Sequence, residues 1–425
     1  MTRHLRTLAV STVTAATALW LVGSALAGPI NPPAGPVSST HKTLTEVEPR
    51  IAINATNTPG DANSLFKITQ PGSYYLTGNI TGVAAEHGIE ITASGVTLDL
   101  MGFDLLGVAG SLDGVSATVG FLRNTTIRNG SVRNWGNAGV MIISATGNTG
   151  QRVESVAANG NGGTGISCSG DTGTVIDSTA TANGGNGISA RFIQRCIARE
   201  NAGIGLAVSQ GGSILQSVAL YNGGDGLHTG FACTVTDSSS CYNGGDGITS
   251  SNGSTITNCT FSGNTGSGMD VFSSISIHNC TAVGNLLHGI NTDSNCVIEG
   301  CLANSNTFDG IRCGSDSTVR GNTANSNATG AENGAGIHAT GNGARVEGNT
   351  CNNNEIGIDV DGGDNIVIKN TCSDNILAFV IAANNFYGPI IDRRIPTTVA
   401  STPVVAGFAA TGTMGSTDSN ANFAH

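Results

Sequence analysis

The octapeptide YNGGDGLH occupies residues 221–228, and the closely similar YNGGDGIT occupies residues 242–249. Two series of residues continue the same step along the chain: Asn222, Asn243, Asn264, Asn285 and Asn306, and Gly226, Gly247, Gly268, Gly289 and Gly310. Each of these glycines is followed by an apolar residue. A fixed step of this length indicates a solenoid, because one such repeat can bury its apolar side only against its neighbours.

The pattern inside each repeat is that of short strands. Apolar residues alternate in stretches such as VIDSTATA and VTDSSS, and clusters of Gly, Asn and Asp separate them. The step varies between the outer repeats, as from Gly187 to Gly205 and from Gly310 to Gly336, which excludes a strict hexapeptide beat. Leu is too scarce for leucine-rich repeats. We therefore predict an all-β, right-handed parallel β-helix of about 13 rungs, right-handed because parallel crossovers nearly always are.

The ends of the chain differ from the repeats. Arg3 and Arg6 precede an apolar run and a small-x-small cleavage signal at residues 25–27, which predicts a secretory signal peptide. We expect export to the periplasm, the cell surface or the medium, with no membrane span in the mature chain. The predicted organisation is a signal peptide at 1–27, a linker and N-terminal cap at 28–75, the β-helix at 76–382 and a C-terminal cap or tail at 383–425.

Composition restricts the class of partner. The chain has 62 Gly, 11% charged residues, 4% aromatic residues and a formal net charge of −11. Nucleic-acid binding requires a basic surface, so we expect no nucleic-acid partner. An anionic polymer would need local basic groups or a bridging cation.

The repeats resemble those of the pectate-lyase-like superfamily of parallel β-helix proteins. The flanks, with ITQPGSYYLTGNI at 68–80 and DSNANFAH at 418–425, resemble secreted bacterial β-helix proteins of uncharacterised function. The resemblance implies a fold. It does not imply one activity, because this superfamily includes lyases, hydrolases, epimerases, adhesins and tail proteins.

Two columns of residues predict structural roles. The repeat asparagines suit a left-handed turn position, and their amides can form a ladder between stacked rungs. In looser copies of the repeat, the corresponding residues are Asn201, Asn183 and Asn159. Cys259, Cys280 and Cys301 follow the same step as the asparagines, and we expect buried free thiols there, with disulfide bridges between rungs as the alternative.

The candidate site follows from strand alternation, because the residue after each inward apolar residue faces solvent. Down the rungs this outward column reads Ser167, Ser189, Ala207, His228, Thr249, Asp270, Asn291, Arg312, His338 and Asp359. A second column, just before the repeat glycine, reads Asp225, Asp246, Ser267, His288 and Asp309. We assign catalytic roles to Asp225, Asp246, Asp270 and His288, and substrate-binding roles to His228, Asn291, Asp309, Arg312 and His338.

The resemblance allows a comparison with polygalacturonases, which carry the motifs N-T-D-G, D-D, G-H-G and R-I-K. The segment 222–226 resembles the first motif, and Asp246, His288 and Arg312 stand near the other three. However, a rung with Ser267 intervenes, no Asp-Asp pair occurs and no Lys follows Arg312. Pectate-lyase signatures are also missing from the sequence. These departures favour binding or structure over catalysis.

We keep three functional hypotheses. The first is engagement of an extracellular or cell-envelope polysaccharide along the polar face. The alternatives are a non-catalytic, adhesin-like surface protein, and a polysaccharide hydrolase, lyase or epimerase acting through Asp225, Asp246 and His288. No cofactor is required by any of them, although the acidic turn DVDGGD at 359–364 offers oxygen ligands of the kind that Ca²⁺ prefers.

Overall fold

The computed structural model of the protein describes residues 48–118, 120, 122–143, 149–328, 334–392, 407–408 and 418–425. The predicted signal peptide and residues 28–47 of the predicted linker lie outside this part of the chain, as do much of the insertion at 327–336 and of the C-terminal tail. Two units are distinguished, Met1–Arg50 and Ile51–His425. The described end of the first holds an ion pair between Arg50 Nε and Glu48 Oε1 at 2.7 Å.

In the second unit, every regular element of the described residues is a β-strand, and paired strands run parallel. The strands form three long sheets, so the chain makes a triangular coil of about 15 turns. The prediction of a parallel β-helix is confirmed, with slightly more rungs than expected. Stacking begins at Ile51–Ala52, which pairs with Gly72–Tyr75, and Ser64–Ile68 pairs with His87–Ile91. No helix in the part of the chain described is long and apolar enough to cross a membrane.

Sheet 1 carries the candidate site. Its separate strands are Ser64–Ile68, His87–Ile91, Val115–Ala117, Val140–Ile142, Ile166–Cys168, Leu227–Thr229, Ile248–Ser250, Met269–Val271, Ile290–Thr292, Ile311–Cys313, Ala335–Ala339, Ile356–Val360 and Leu377–Ile381. Two longer strands, Ile188–Gln194 and Leu206–Leu215, begin in sheet 1 and continue into sheet 2.

After each strand of sheet 1, the chain passes into sheet 2. Its separate strands are Ile51–Ala52, Gly72–Tyr75, Val96–Asp99, Thr174–Ile176, Thr234–Thr236, Thr255–Thr257, Ser276–His278, Val297–Glu299, Thr318–Arg320, Arg345–Glu347, Ile366–Ile368 and Phe386–Tyr387. Two further strands, Thr126–Arg133 and Arg152–Asn159, pass from sheet 2 into sheet 3.

Sheet 3 closes the coil. It comprises Ile80–Thr81, Asp104–Leu106, Thr179–Thr181, Ile197–Arg199, Val218–Leu220, Ser239–Cys241, Thr260–Ser262, Thr281–Val283, Leu302–Asn304, Thr323–Asn325, Thr350–Asn352, Thr371–Ser373, Asn422–Ala424, Ile390–Asp392 and Gly407–Phe408. Near the C-terminus, Asn422–Ala424 pairs with both Thr371–Ser373 and Ile390–Asp392. Residues of the predicted C-terminal cap therefore extend sheet 3 past the last regular rung.

The core is the inside of the coil. In most short strands of sheet 1 the outer two residues are buried and the middle one is partly exposed, as at Leu227, His228 and Thr229. In sheets 2 and 3 the middle residue is the buried one, as at Val235 and Phe261. This difference follows from strand alternation, and it leaves one outward side chain per rung on sheet 1.

An asparagine ladder stabilises the turn between sheets 3 and 1. Each member donates from its backbone N–H and from its side-chain amide to the Oδ1 of the next, through the series Asn161, Asn183, Asn201, Asn222, Asn243, Asn264, Asn285, Asn306, Asn327, Asn354 and Asn375. The predicted ladder is confirmed. In the repeat for which we predicted Asn159, the ladder member is Asn161, because Asn159 ends a strand of sheet 3.

We expected the ladder asparagine to take the left-handed backbone conformation of the turn. In the structure, the residue before it takes this conformation instead. Tyr221 and Tyr242 have φ values of 55° and 54°, and Ser305 has 55°. Left-handed backbone is costly for such residues. The two tyrosines offset part of that cost, because their rings stack with centroids 5.3 Å apart. The residue before the ladder asparagine thus makes the turn, and the asparagine side chain makes the hydrogen bonds of the ladder.

All eleven cysteines are free thiols, and all but Cys241 are buried. The alternative of disulfide bridges is therefore not realised. Cys351 and Cys372 are directly paired on adjacent strands of sheet 3, where their side chains point in the same inward direction. Burial raises the pKa of the Cys168 and Cys313 thiols to about 12, so they act as small apolar residues in the core.

Candidate functional site

The outward column of sheet 1 forms an unbroken line. Strand pairing connects Ser167, Ser189, Ala207, His228, Thr249, Asp270, Asn291, Arg312, His338 and Asp359 in one register. The next residue in the register is Val380, which ends the polar run. Together with the column of residues that precede the repeat glycines, this line is called the polar edge below.

Aspartates before the repeat glycine have a structural role. Asp225 Oδ1 accepts the backbone N–H of Asp246 at 2.9 Å, and Asp246 Oδ1 accepts that of Ser267 at 2.6 Å. The same bond recurs on rungs outside the predicted site, where Asp113 accepts from Ala138. In Asp225 and Asp246, one carboxylate oxygen thus ties its turn to the next rung, and the other approaches Thr249.

A glycine on the following rung makes room for the hydrogen bonds of Asp225 and Asp246. A Cβ at Gly245 would lie 2.2 Å from Asp225 Oδ1, and a Cβ at Gly266 would lie 2.2 Å from Asp246 Oδ1. Where the preceding rung carries Ser267 or His288 instead, the equivalent position is occupied by a large residue, Leu287 or Phe308. At positions 245 and 266, glycine therefore leaves room for the aspartate one rung before it.

We expect the substitution Gly266→Ala to lower the free energy of unfolding by about 1–3 kcal/mol, because the new Cβ would displace Asp246 from the Ser267 N–H. Urea unfolding would measure this loss. Gly78→Ala is the matched control, since a Cβ at that position meets nothing within 4 Å. Equal effects of the two substitutions would contradict this account of the motif.

Within the polar edge, the first group of residues contains two neighbouring carboxylates. Thr249 Oγ1 donates to Asp225 Oδ2 at 2.8 Å and lies 3.5 Å from Asp246 Oδ2, so both Oδ2 atoms approach the same hydroxyl. His228 Nδ1 lies 3.9 Å from Asp225 Oδ2. The group joins Asp225, His228, Asp246 and Thr249, of which only Thr249 was not predicted as a site residue.

The environments of the two carboxylates differ. Burial raises the pKa of Asp246 to about 6, and the charges of Asp270 and Asp225 add to the shift against the opposing Ser267 N–H. Burial also acts on Asp225, but contact with His228 and the hydrogen bonds from Asp246 and Thr249 outweigh it and lower its pKa. Near pH 6 the pair thus offers one ionised carboxylate beside one that exchanges its proton.

A second group is a hydrogen-bonded series across three rungs. Arg312 Nη1 donates to Asn291 Oδ1 at 2.9 Å, and Asn291 Nδ2 donates to Asp270 Oδ1 at 2.6 Å. All three side chains are partly exposed. The series presents a cation, an amide and a carboxylate to solvent at successive rungs.

A third group is built on a buried carboxylate. Asp309 is only 3% exposed, and its Oδ2 lies 3.2 Å from His338 Nδ1 and 3.3 Å from His288 Nδ1. The His338 contact is a hydrogen bond, whereas His288 Nδ1 lacks a partner of good geometry. Although burial opposes ionisation, the two histidines hold the pKa of Asp309 well below its usual range. Asp309 therefore contacts both rings, and its hydrogen bond orients that of His338.

The charge of His338 depends on the surrounding carboxylates. Burial alone would lower the pKa of this imidazole, but Asp309, Asp361 and Asp359 raise it to about 9. His338 Nε2 lies 2.9 Å from Asp361 Oδ2 and 3.9 Å from Asp359 Oδ2. At the outward end of this group, Nε2 of His338 therefore lies close to the carboxylates of Asp361 and Asp359.

The polygalacturonase comparison concerned Asp225, Asp246, His288 and Arg312, and the structure does not join the four in one hydrogen-bonded group of described residues. Asp225 and Asp246 share a hydrogen bond, but among the described residues neither His288 nor Arg312 shares a hydrogen bond or an ion pair with them. A rung with Ser267 lies between Asp246 and His288, and His288 instead contacts Asp309 on the following rung. The polar edge is three local groups in sequence along sheet 1.

Sequence reasoning missed one aromatic neighbour of the site. The Phe308 ring lies 5.7 Å from the His288 ring between centroids, and Leu286, Leu287 and Phe308 are exposed apolar residues on these two rungs. The signal for Phe308 was present in the sequence. Its column reads Gly224, Gly245, Gly266, Leu287 and Phe308, and the change from glycine to bulky residues marks the rungs of the third group.

Comparison with solved structures gives several long but distant alignments. The A-module of Azotobacter vinelandii mannuronan C-5 epimerase AlgE6 is 17% identical, with 74% of this chain and 89% of that chain covered and a TM-score of 0.41. The siphovirus 9NA tailspike receptor-binding domain is 9% identical, with 89% and 83% covered and a TM-score of 0.36. The periplasmic alginate epimerase AlgG is 13% identical, with 68% and 78% covered and a TM-score of 0.33.

Comparison with curated proteins gives no match. Residues 192–350 match the family model described as "Right handed beta helix region", and this span includes all three groups of the polar edge except residues 359 and 361. The match supplies the handedness of the coil whose parallel strands and ladders are described above. Residues 192–350 are therefore similar to right-handed β-helix regions, and the fold of the described residues is a parallel β-helix.

Proposed function

We propose that the protein engages an extracellular or cell-envelope polysaccharide laid along the polar edge of sheet 1. The observation that carries the proposal is the register of the outward column, in which every member from His228 to Asp359 is polar or charged. These side chains repeat at the rung spacing of about 4.8 Å. A linear polymer of polar units could therefore contact one outward polar side chain at each rung.

The charges of the edge support a choice of polymer. The net charge of the chain is −11, and Asp225, Asp246 and Asp270 lie in the first two groups. A neutral polysaccharide meets no charge barrier there and finds both donors and acceptors. An acidic polysaccharide would need Arg312 and the histidines, or a bridging cation such as Ca²⁺. Secretion, predicted from the N-terminal residues, would bring the protein to such polymers.

A second candidate function is hydrolysis, elimination or epimerisation of the bound polymer. The specific observation in its favour is the pair Asp225 and Asp246, whose pKa values differ in direction and whose Oδ2 atoms both approach the Thr249 hydroxyl. Retaining glycosidases use two carboxyl groups about 5–5.5 Å apart, one of them protonated. A structural or adhesin-like role has its own support, because each aspartate also ties its turn to the next rung.

A binding and cleavage panel tests the proposal. Neutral, acidic and amine-bearing polysaccharides would be measured for retention of the full chain and for new reducing ends, with and without Ca²⁺. We expect retention by at least one polymer, and an affinity at least about tenfold lower for Arg312→Ala, since that change removes a charged hydrogen-bonding group. Arg320→Ala is the control, because Arg320 lies on sheet 2 and pairs with Glu299.

Two outcomes would count against polysaccharide engagement. One is that no polymer retains the protein under any condition. The other is that Arg312→Ala and Arg320→Ala weaken retention equally, which would indicate a general charge effect and not a site on sheet 1. Retention without new reducing ends or unsaturated products would favour binding over catalysis.

A further inference from the structure

His338 is held in the manner of a metal-binding histidine. Its Nδ1 shares a hydrogen bond with Asp309 Oδ2 at 3.2 Å, and Asp309 is itself fixed by the backbone N–H of Ala335 at 2.7 Å. Histidines that bind metal ions commonly give one ring N–H to a carboxylate, which fixes the ring and directs the other nitrogen to the ion. Here that other nitrogen is Nε2, and it points away from the core.

Two carboxylates approach Nε2. Asp361 Oδ2 is 2.9 Å from it and Asp359 Oδ2 is 3.9 Å from it, and ligand atoms of the three residues all lie within 4.8 Å of one another. An ion bound at about 2.0–2.2 Å to each of three ligands requires them to stand roughly 3.3 Å apart. The two distances from Nε2, 2.9 and 3.9 Å, lie on either side of that spacing.

Asp359 supplies an independent observation. It is only 8% exposed, and its Oδ1 is buried without a hydrogen-bond partner. A buried carboxylate with an unpartnered oxygen is costly, and a cation bound to the same carboxylate through Oδ2 would offset part of that cost. The neighbouring Asp361 is well exposed, so the position between the three ligands opens to solvent.

We propose that His338 Nε2, Asp359 and Asp361 bind a divalent transition-metal ion of the Zn²⁺ type, with Asp309 as the positioning residue for His338. The ligand set decides the class of ion. Imidazole nitrogen suits Zn²⁺ and its neighbours, whereas Ca²⁺ takes six to eight oxygen ligands. The sequence pointed to Ca²⁺ at 359–364, but Asp364 is not a member of the cluster. The remaining coordination position is open to water or to a ligand.

The test is titration of the full chain, free of any histidine tag, with Zn²⁺ in a calorimeter and with Co²⁺ in an absorption spectrometer. We expect one Zn²⁺ per chain and Co²⁺ bands typical of nitrogen and oxygen ligands. His338→Gln and Asp361→Asn should each weaken Zn²⁺ binding at least about tenfold, and Asp309→Asn by about 10- to 100-fold, as losses around the ligand histidine do. Asp364→Asn, in the same acidic turn, should leave binding unchanged.

Several results would overturn the proposal. They are no Zn²⁺ binding at one equivalent, binding that survives His338→Gln, equal competition by Ca²⁺, and a thiolate-to-cobalt band that disappears with Cys241→Ser. Cys241 is the appropriate check because it is the one thiol that is not buried. Circular dichroism of each variant would show that lost binding is not lost folding. Metal binding is measured here without any polysaccharide, so its failure leaves the proposed function standing.

Discussion

The Asp246→Asn variant is expected to lose at least about tenfold in affinity for the polysaccharide that the wild type retains, and to lose any cleavage activity, while its stability at pH 7 rises. Asparagine keeps the Oδ1 that accepts the Ser267 N–H. It removes the charge that burial and the neighbouring carboxylates destabilise. Function and stability are therefore expected to change in opposite directions, as at many functional sites.

The pH dependence of stability follows from the same group. The pKa of Asp246 is about 6 in the folded protein, above its ordinary value of 3.8. The unfolded chain therefore releases this proton first, so the contribution of Asp246 is greatest below about pH 4 and is lost as the pH rises through 6. Asp246→Asn should remove this component, and the difference in stability between the two proteins should change most between pH 4 and 6.

Thermal or urea unfolding across this pH range, together with the retention assay, measures both parts of the prediction. Asp237→Asn is the control, because Asp237 is exposed beyond the end of a sheet 2 strand and its carboxylate accepts a hydrogen bond from Asn258, which an asparagine Oδ1 can also accept. If Asp246→Asn is less stable than the wild type at pH 7, the account of its environment is wrong. If retention is unaffected, Asp246 is a turn residue and not a site residue.

The second large effect is expected from the ladder. Asn264→Ala should lower the free energy of unfolding by about 3–5 kcal/mol, because it leaves several buried groups without partners at about 1–3 kcal/mol each. Asn264 is 0% exposed. Its Oδ1 accepts the Asn243 N–H and side-chain amide, and its own amide donates to Ser240 O and Asn285 Oδ1.

Urea unfolding monitored by circular dichroism measures the loss in free energy of unfolding. Amide hydrogen exchange shows whether the destabilisation is confined to the rungs of residues 243–285. Repeat proteins couple mainly to nearest neighbours, so we expect protection to fall most in those rungs. Thr265→Ala, one residue later and exposed, is the control. An effect of Asn264→Ala below about 1 kcal/mol would mean that water replaces the ladder.

Much of the fold and of the site's layout could be predicted from the sequence. Alternation along short strands indicated the direction of each side chain, so the outward column from Ser167 to Asp359 was predicted in the order that the strand register confirms. The ladder followed from the fixed step between repeats. Asn159 was placed wrongly because a single sequence does not show which of two nearby asparagines, 159 or 161, ends the strand.

The chemistry of the site could not be predicted in the same way. Nothing in the spacing of Asp225 and Asp246 indicates that their pKa values move in opposite directions, since that depends on which oxygen accepts which N–H. Nor does the sequence show that Asp309 lies buried under His338, which is 29 residues away. Such contacts are set by side-chain rotamers and burial.

The coil, its inward and outward faces and the asparagine ladder of YNGGDGLH could be predicted from the order of amino acids, because each depends on a repeat in which local geometry recurs. That the aspartate of this motif holds the next turn with one oxygen, and that the polar edge divides into three groups, became visible only in the folded chain. Contacts between rungs depend on the pair of residues stacked at each step. A repeat fixes where those residues stand, and their mutual distances and burial fix what they can bind.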